Sequence, residues 1–200
     1  TVRGRYVAMD ELEMLTTPLL VGAELAADGL QLPLAFVYGE DRDLWRIDGD
    51  TVERAGRAEK YARFHVDELR NIDGVSYAVG AGGLAVRRDE VRLARQSDPD
   101  EAVGSNKWIH VDLTEQALVA YDDGEPVYAT LVASGREGYD TPRGVFRIRE
   151  KYVSTTMDGS DPVDGDFEVE EVPWTMYYWR SYALHGAYWH VRTNGTRGWV

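Results

Sequence analysis

The chain has 200 residues, enough for one large domain or two modest ones, each with its own core. Hydrophobic residues make up 44% and charged residues 28%, which excludes wholesale disorder. The 22 Lys and Arg against 35 Asp and Glu leave a formal charge of −13, which argues against duplex nucleic acid and against an anionic lipid face as partners.

Cysteine is absent, so disulfides, thiolate metal sites and thiol nucleophiles are all removed together. The chain opens at Thr1 with no Met, no basic start and no apolar signal core, and it stops at Gly198-Trp199-Val200 inside a β-like run. A fragment or processed chain is expected, and the missing signal peptide then says nothing about export. The longest apolar stretches, such as Leu30 to Val37, fall far short of a bilayer span.

Short β-branched and aromatic runs punctuated by Gly, Asp and Asn predict an all-β chain. Gly4-Arg-Tyr-Val7 leads into a helical candidate at Asp10 to Leu15. Strands are predicted at Leu34 to Tyr38 and Leu44 to Ile47, with Asp48-Gly49 turning into Thr51 to Arg54. Tyr61 to Val66, Val75 to Val79 and Leu84 to Arg87 follow, with a turn at Gly80-Ala-Gly-Gly83 and a second helical candidate at Asp89 to Arg95. Short strands with tight turns over this length suit a small SH3-like barrel. Gly83-Leu-Ala-Val86 and Asp89-Glu-Val91 echo Gly4-Arg-Tyr-Val7 and Asp10-Glu-Leu12, as if one module ended at residue 14 and a second ran from 33 to 95. Coincidence explains so short an echo equally well.

Ser97-Asp-Pro-Asp-Glu101 through Gly104-Ser-Asn106 is polar and turn-rich, the composition of a linker over 96–106. Beyond it come strand-like runs at Lys107 to Leu113, Gln116 to Tyr121, Val127 to Ala133 and Gly144 to Ile148. Their short connections predict an antiparallel meander closing into a sandwich or barrel.

Within this half, the run from Trp108 to Tyr121 resembles the opening hairpin of the L,D-transpeptidase (YkuD-type) catalytic domain. Val132-Ala-Ser-Gly135, Asp140-Thr-Pro-Arg-Gly-Val-Phe-Arg-Ile148, Val172-Pro-Trp174, Tyr177-Tyr-Trp179 and Ala183-Leu-His-Gly-Ala-Tyr-Trp-His190 follow in that family's order. The resemblance implies a bacterial enzyme that cross-links peptidoglycan. A Cys is acylated by a stem tetrapeptide, D-Ala leaves, and the amine of a second stem resolves the thioester. It also implies that the first half is similar to SH3-like wall modules, and that the protein sits in the periplasm or cell wall envelope. No cofactor or metal is implied.

The resemblance places His185 in the active cleft, where it positions substrate or stabilises the developing oxyanion. Gly186 beside it leaves room for a substrate backbone, and Tyr182 and Trp189 are candidate substrate contacts. Read from the residues alone, a hydrogen-bonded structural His fits as well, and the dense aromatics fit core packing. Thr141-Pro142-Arg143-Gly144 reads as a structural turn that the family places near the substrate cleft. His190 lies five residues beyond His185, which is not the spacing of a two-His zinc face, so no metal site is expected. His65 and His110 stand in strand-like runs without partners.

The family's His-Gly segment is followed by Ser/Thr-His-Gly-Cys. The corresponding stretch here is Thr196-Arg197-Gly198-Trp199-Val200. Thr196 and Gly198 match; Arg197 stands at the base and Trp199 at the nucleophile. Indole offers no nucleophilic lone pair and guanidinium stays protonated, so acyl transfer does not survive these replacements. The expectation is therefore an all-β chain, with SH3-like module(s) followed by an L,D-transpeptidase-type β-sandwich over 107–200, incomplete at its C-terminus. Its partners would be peptidoglycan stem peptides, and it would be inactive without its Cys. The alternative is a non-catalytic peptidoglycan-binding module. Truncation and true degeneracy both account for the final five residues.

Overall fold

A computed structural model of the chain describes residues 20–135, 138–161 and 165–187. The helical candidate at Asp10 to Leu15 and the first copy of the short repeat lie outside them. Among the described residues the strands are β1 (Ala23–Glu24), β2 (Leu34–Val37), β3 (Arg42–Asp48), β4 (Thr51–Ala58), β5 (Arg63–His65), β6 (Glu68–Ile72), β7 (Val75–Val79), β8 (Leu84–Arg87) and β9 (Val91–Ala94). In the second half they are β10 (Lys107–Asp112), β11 (Ala117–Asp122), β12 (Glu125–Leu131), β13 (Glu150–Asp161), β14 (Gly165–Trp179) and β15 (Tyr182–Leu184). Among the described residues the fold is all-β, with helical content confined to short 3-10 turns at Ala81–Gly83 and Arg88–Glu90.

The first half builds a three-stranded sheet, β5-β2-β9, and a five-stranded sheet, β4-β3-β8-β7-β6. β2 is apolar at four consecutive positions and buried at all four, the pattern of a strand covered on both faces. Its two-residue period divides the side chains. Ala35 and Val37 join Val66, Ala78, Val86, Val91 and Leu93 in a core private to the first half. Leu34 and Phe36 point the other way, into a core shared with Ala117, Val119, Tyr121, Ala129 and Leu131 of the second half.

That shared core is closed by β1, which pairs with β12 and completes the sheet order β1-β12-β11-β10. A segment ahead of the first-half strands is thus an edge of the second-half sheet. Ala23 is fully buried there, and the Leu25 N–H donates to the Val127 carbonyl at 3.0 Å.

Two sequence expectations fail. Asp89 to Arg95 is not a helix: after the 3-10 turn, Val91 to Ala94 pair with β2 in the order Val91↔Val37 to Ala94↔Leu34. Val91, Leu93 and Ala94 are all at most 1% exposed, a burial on both faces that an amphipathic helix at the surface would not provide. The run Gly144 to Ile148 joins no sheet either. Phe146 turns onto the rings of Tyr178 and Trp179, at 5.3 and 6.0 Å, and the run becomes an irregular wall. Between that wall and β15, β13 and β14 form a long antiparallel hairpin whose outer part is largely solvent-exposed.

Candidate functional site

The meander β10–β11–β12 is anchored to the first half by one carboxylate. Asp112 accepts the N–H groups of Thr114 and Glu115 at 2.8 and 3.0 Å, an Asx-type turn that fixes the β10–β11 connection. Glu115 is thereby directed inward and is buried. Its carboxylate accepts the Leu93 N–H at 3.0 Å, pairs with Arg88, and lies 3.3 Å from Arg95 Nη1. Every partner belongs to or flanks β9. A buried carboxylate is tolerated because cations and a backbone donor compensate it together.

Gln116 continues the connection with φ +53, and its side chain carries the order onward. The amide Nε2 donates to the Leu113 carbonyl and to Ser134 Oγ, both at 2.7 Å, while Oε1 accepts the Ser134 N–H at 2.8 Å. The next residue, Gly135, donates its N–H to Thr141 Oγ1 at 2.8 Å. A side chain at Gly135 would collide with the Tyr139 carbonyl. Thr141 opens the Pro142-Arg143-Gly144 turn, so the position of that turn is set from Gln116.

These elements enclose an open cleft of about 1190 Å³. Trp108, His110 and Asp112 of β10 line one side, Thr141 to Ile148 another, and Tyr178, Ala183 and Leu184 its end, with Ser97 to Ser105 at the rim. Trp108 stacks on Tyr121 with centroids 4.0 Å apart, and the Tyr121 hydroxyl accepts the Ser97 N–H at 2.9 Å. Burial pushes the Tyr121 phenol up from its ordinary value, against the opposing effect of the Ser97 bond. Burial, followed by the neighbouring Tyr182, also raises the Tyr178 phenol.

Of the sequence-predicted site residues, Tyr182, Gly186 and His185 are described; Trp189, Thr196, Arg197, Gly198 and Trp199 lie outside the described residues, as does His190. Tyr182 begins β15 and stacks on Trp179 at 5.6 Å. His185 follows the cleft-lining Leu184, is exposed, and has Nδ1 3.1 Å from the Gly186 carbonyl. The missing side chain of Gly186 serves a packing purpose: its N–H donates to the Pro173 carbonyl at 2.8 Å, and an added Cβ would sit 2.8 Å from Pro173 Cγ. Gln116, Glu115 and Ser134 escaped sequence reasoning. The polar pair Glu115-Gln116 between two apolar runs was the available signal, but it also reads as an ordinary solvated turn. No cluster of three potential metal ligands occurs among the described residues.

The all-β meander thus carries an open cleft, bounded at one end by Tyr178 of β14 and by Ala183 and Leu184 of β15, with His185 and Gly186 just beyond its lining. Residues 106–200 match the family described as YkuD, the L,D-transpeptidase catalytic domain. No curated protein and no solved structure matches the chain. The family implies peptidoglycan as substrate. None of the described helices is long and apolar enough to cross a membrane.

Proposed function

We propose that this 200-residue chain is an L,D-transpeptidase-fold protein that binds peptidoglycan stem peptides in the 1190 Å³ cleft without performing acyl transfer itself. The observation that carries the reading is the combination, within one family match, of a built cleft and a chain with no cysteine. The parent reaction needs a thiolate to attack the stem carbonyl and expel D-Ala, a base to take the thiol proton, and N–H donors for the oxyanion. The hydroxyls of Ser134 and Thr141, which line the cleft, both hold its loop through the bonds to Gln116 and Gly135. At the C-terminal motif, Thr196 stands beside an Arg197 that takes no proton. His185, Tyr182, Gly186 and Trp189 are proposed to contact the bound peptide, with Thr196 and Gly198 the remnant of the family's catalytic motif.

The first-half strands over 33–95 are proposed as an SH3-like module and 1–14 as the end of a preceding one, with 96–106 the linker and 107–200 the catalytic-type domain. The setting would be the periplasm or cell wall. Isolated sacculi sedimented with the purified chain should carry it down, and soluble tetrapeptide should displace it. Incubation with a carbapenem, which acylates the family's Cys, should leave its mass unchanged. An adduct would overturn the inactive reading.

The alternative is a non-catalytic wall-binding module acting through its first half. It is favoured by a second cavity of about 520 Å³ where Val21, Asp28 and Leu30 face Glu59 to Arg63. Retention on sacculi that soluble peptide does not displace, but that Tyr61→Ala abolishes, would place binding there.

A further inference from the structure

Resting on the reading of the cleft as a stem-peptide site, we propose that one wall of it is an anion subsite: Arg143, Arg147 and Lys151 select peptides bearing free carboxylates. All three side chains line the same cleft and are exposed. None of them forms an ion pair among the described residues, whereas Lys107, on another side of the cleft, is held by Asp122 at 2.7 Å. From Thr141 to Arg149 there are three Arg and no acid, within a chain of net charge −13. An acidic protein that gathers uncompensated cations on one wall of a cavity creates a local field opposite to that of its surface. Such a field attracts a short ligand with a few negative charges, while the surface repels a long polyanion.

The rest of the cleft gives the ligand a direction. Phe146, packed on Tyr178, supplies an apolar floor between the cationic positions. The rim carries Asp98 and Asp100. Arg147 reaches toward that rim, since a Cβ added at Gly104 would lie 3.4 Å from its Nη2. A peptide that carries both carboxylates and an amine therefore meets groups of both signs in the cleft. Guanidinium groups engage carboxylates through paired N–H donors, and Lys151 adds a point charge.

The full chain would be titrated by calorimetry with three ligands: the stem tetrapeptide with free carboxylates, the same peptide with its carboxylates amidated, and an unrelated acidic peptide of equal length. Each exposed charge contributes little alone, but three together should favour the free acid about tenfold at low salt. That preference should vanish in R143Q/R147Q/K151Q and in high salt, with circular dichroism unchanged because all three residues are exposed. Binding of the unrelated acidic peptide alone, if lost in the triple variant, would sustain the anion subsite while removing the stem-peptide reading. Equal affinity for the acid and amidated forms, or a preference surviving in the triple variant, would overturn the subsite. Absence of binding by all three ligands would overturn both.

Discussion

Glu115 is the side chain on which the two halves of the molecule depend most directly. Its carboxylate answers Arg88, Arg95 and the Leu93 N–H at once. Glu115→Ala should therefore cost about 3 kcal/mol in urea unfolding, mainly through the half-buried Arg88 and the orphaned N–H. Glu115→Gln keeps an acceptor for Leu93 and should cost about half as much. A loss below about 0.5 kcal/mol for the Ala variant would show that water replaces the carboxylate. Tyr121 gives a pH signature. Because burial raises its phenol above the ordinary 10.0, the native state favours the neutral ring. That contribution is complete below the ordinary phenol value and is lost as pH rises through the folded one. Ultraviolet titration should show one fewer late-ionising phenol in Tyr121→Phe than in the unaltered chain, with that of Tyr178 remaining.

Among the elements, β2 and the meander β10–β12 were legible in the sequence because their apolar runs and turns are local signals. β9 was not. Asp89 to Arg95 carries charges at helical spacing, and only pairing with β2, more than fifty residues earlier, decides for a strand. The wall at Gly144 to Ile148 has strand-like composition, but Phe146 gains more from the rings of Tyr178 and Trp179 than from a ladder. The family motifs were readable from their order along the chain, and the match falls on 106–200. The Gln116–Ser134–Gly135–Thr141 relay that shapes the cleft was not, since it joins residues whose side chains are unremarkable in sequence. Gln116→Ala removes both bonds to Ser134. It should weaken stem-peptide binding about fivefold while moving the thermal midpoint by only a few degrees. Equal and large losses of both would mean the relay is general scaffolding.

At the scale of the whole molecule, the linker composition of 96–106 suggests independence of the two halves, yet the core does not divide there. Leu34, Phe36 and Ala94 pack with Ala117, Val119 and Ala129, and β1 lends an edge to the second-half sheet. Calorimetric unfolding should show one cooperative transition, and Glu115→Ala should broaden or split it. Two transitions in the unaltered chain would show that the shared core does not couple them. The lining of the cleft runs from Ser97 to Leu184, so the first half supports the sheet behind it without entering it, in a chain that has no thiol.

The most direct test of a cleft that binds without reacting is the intact mass of the chain during incubation with disaccharide-tetrapeptide, at concentrations where calorimetry shows saturable binding. Saturation with no change in mass and no cross-linked product is expected. A mass gain equal to the acyl fragment left after D-Ala departs, or the appearance of a cross-linked dimer, would contradict it.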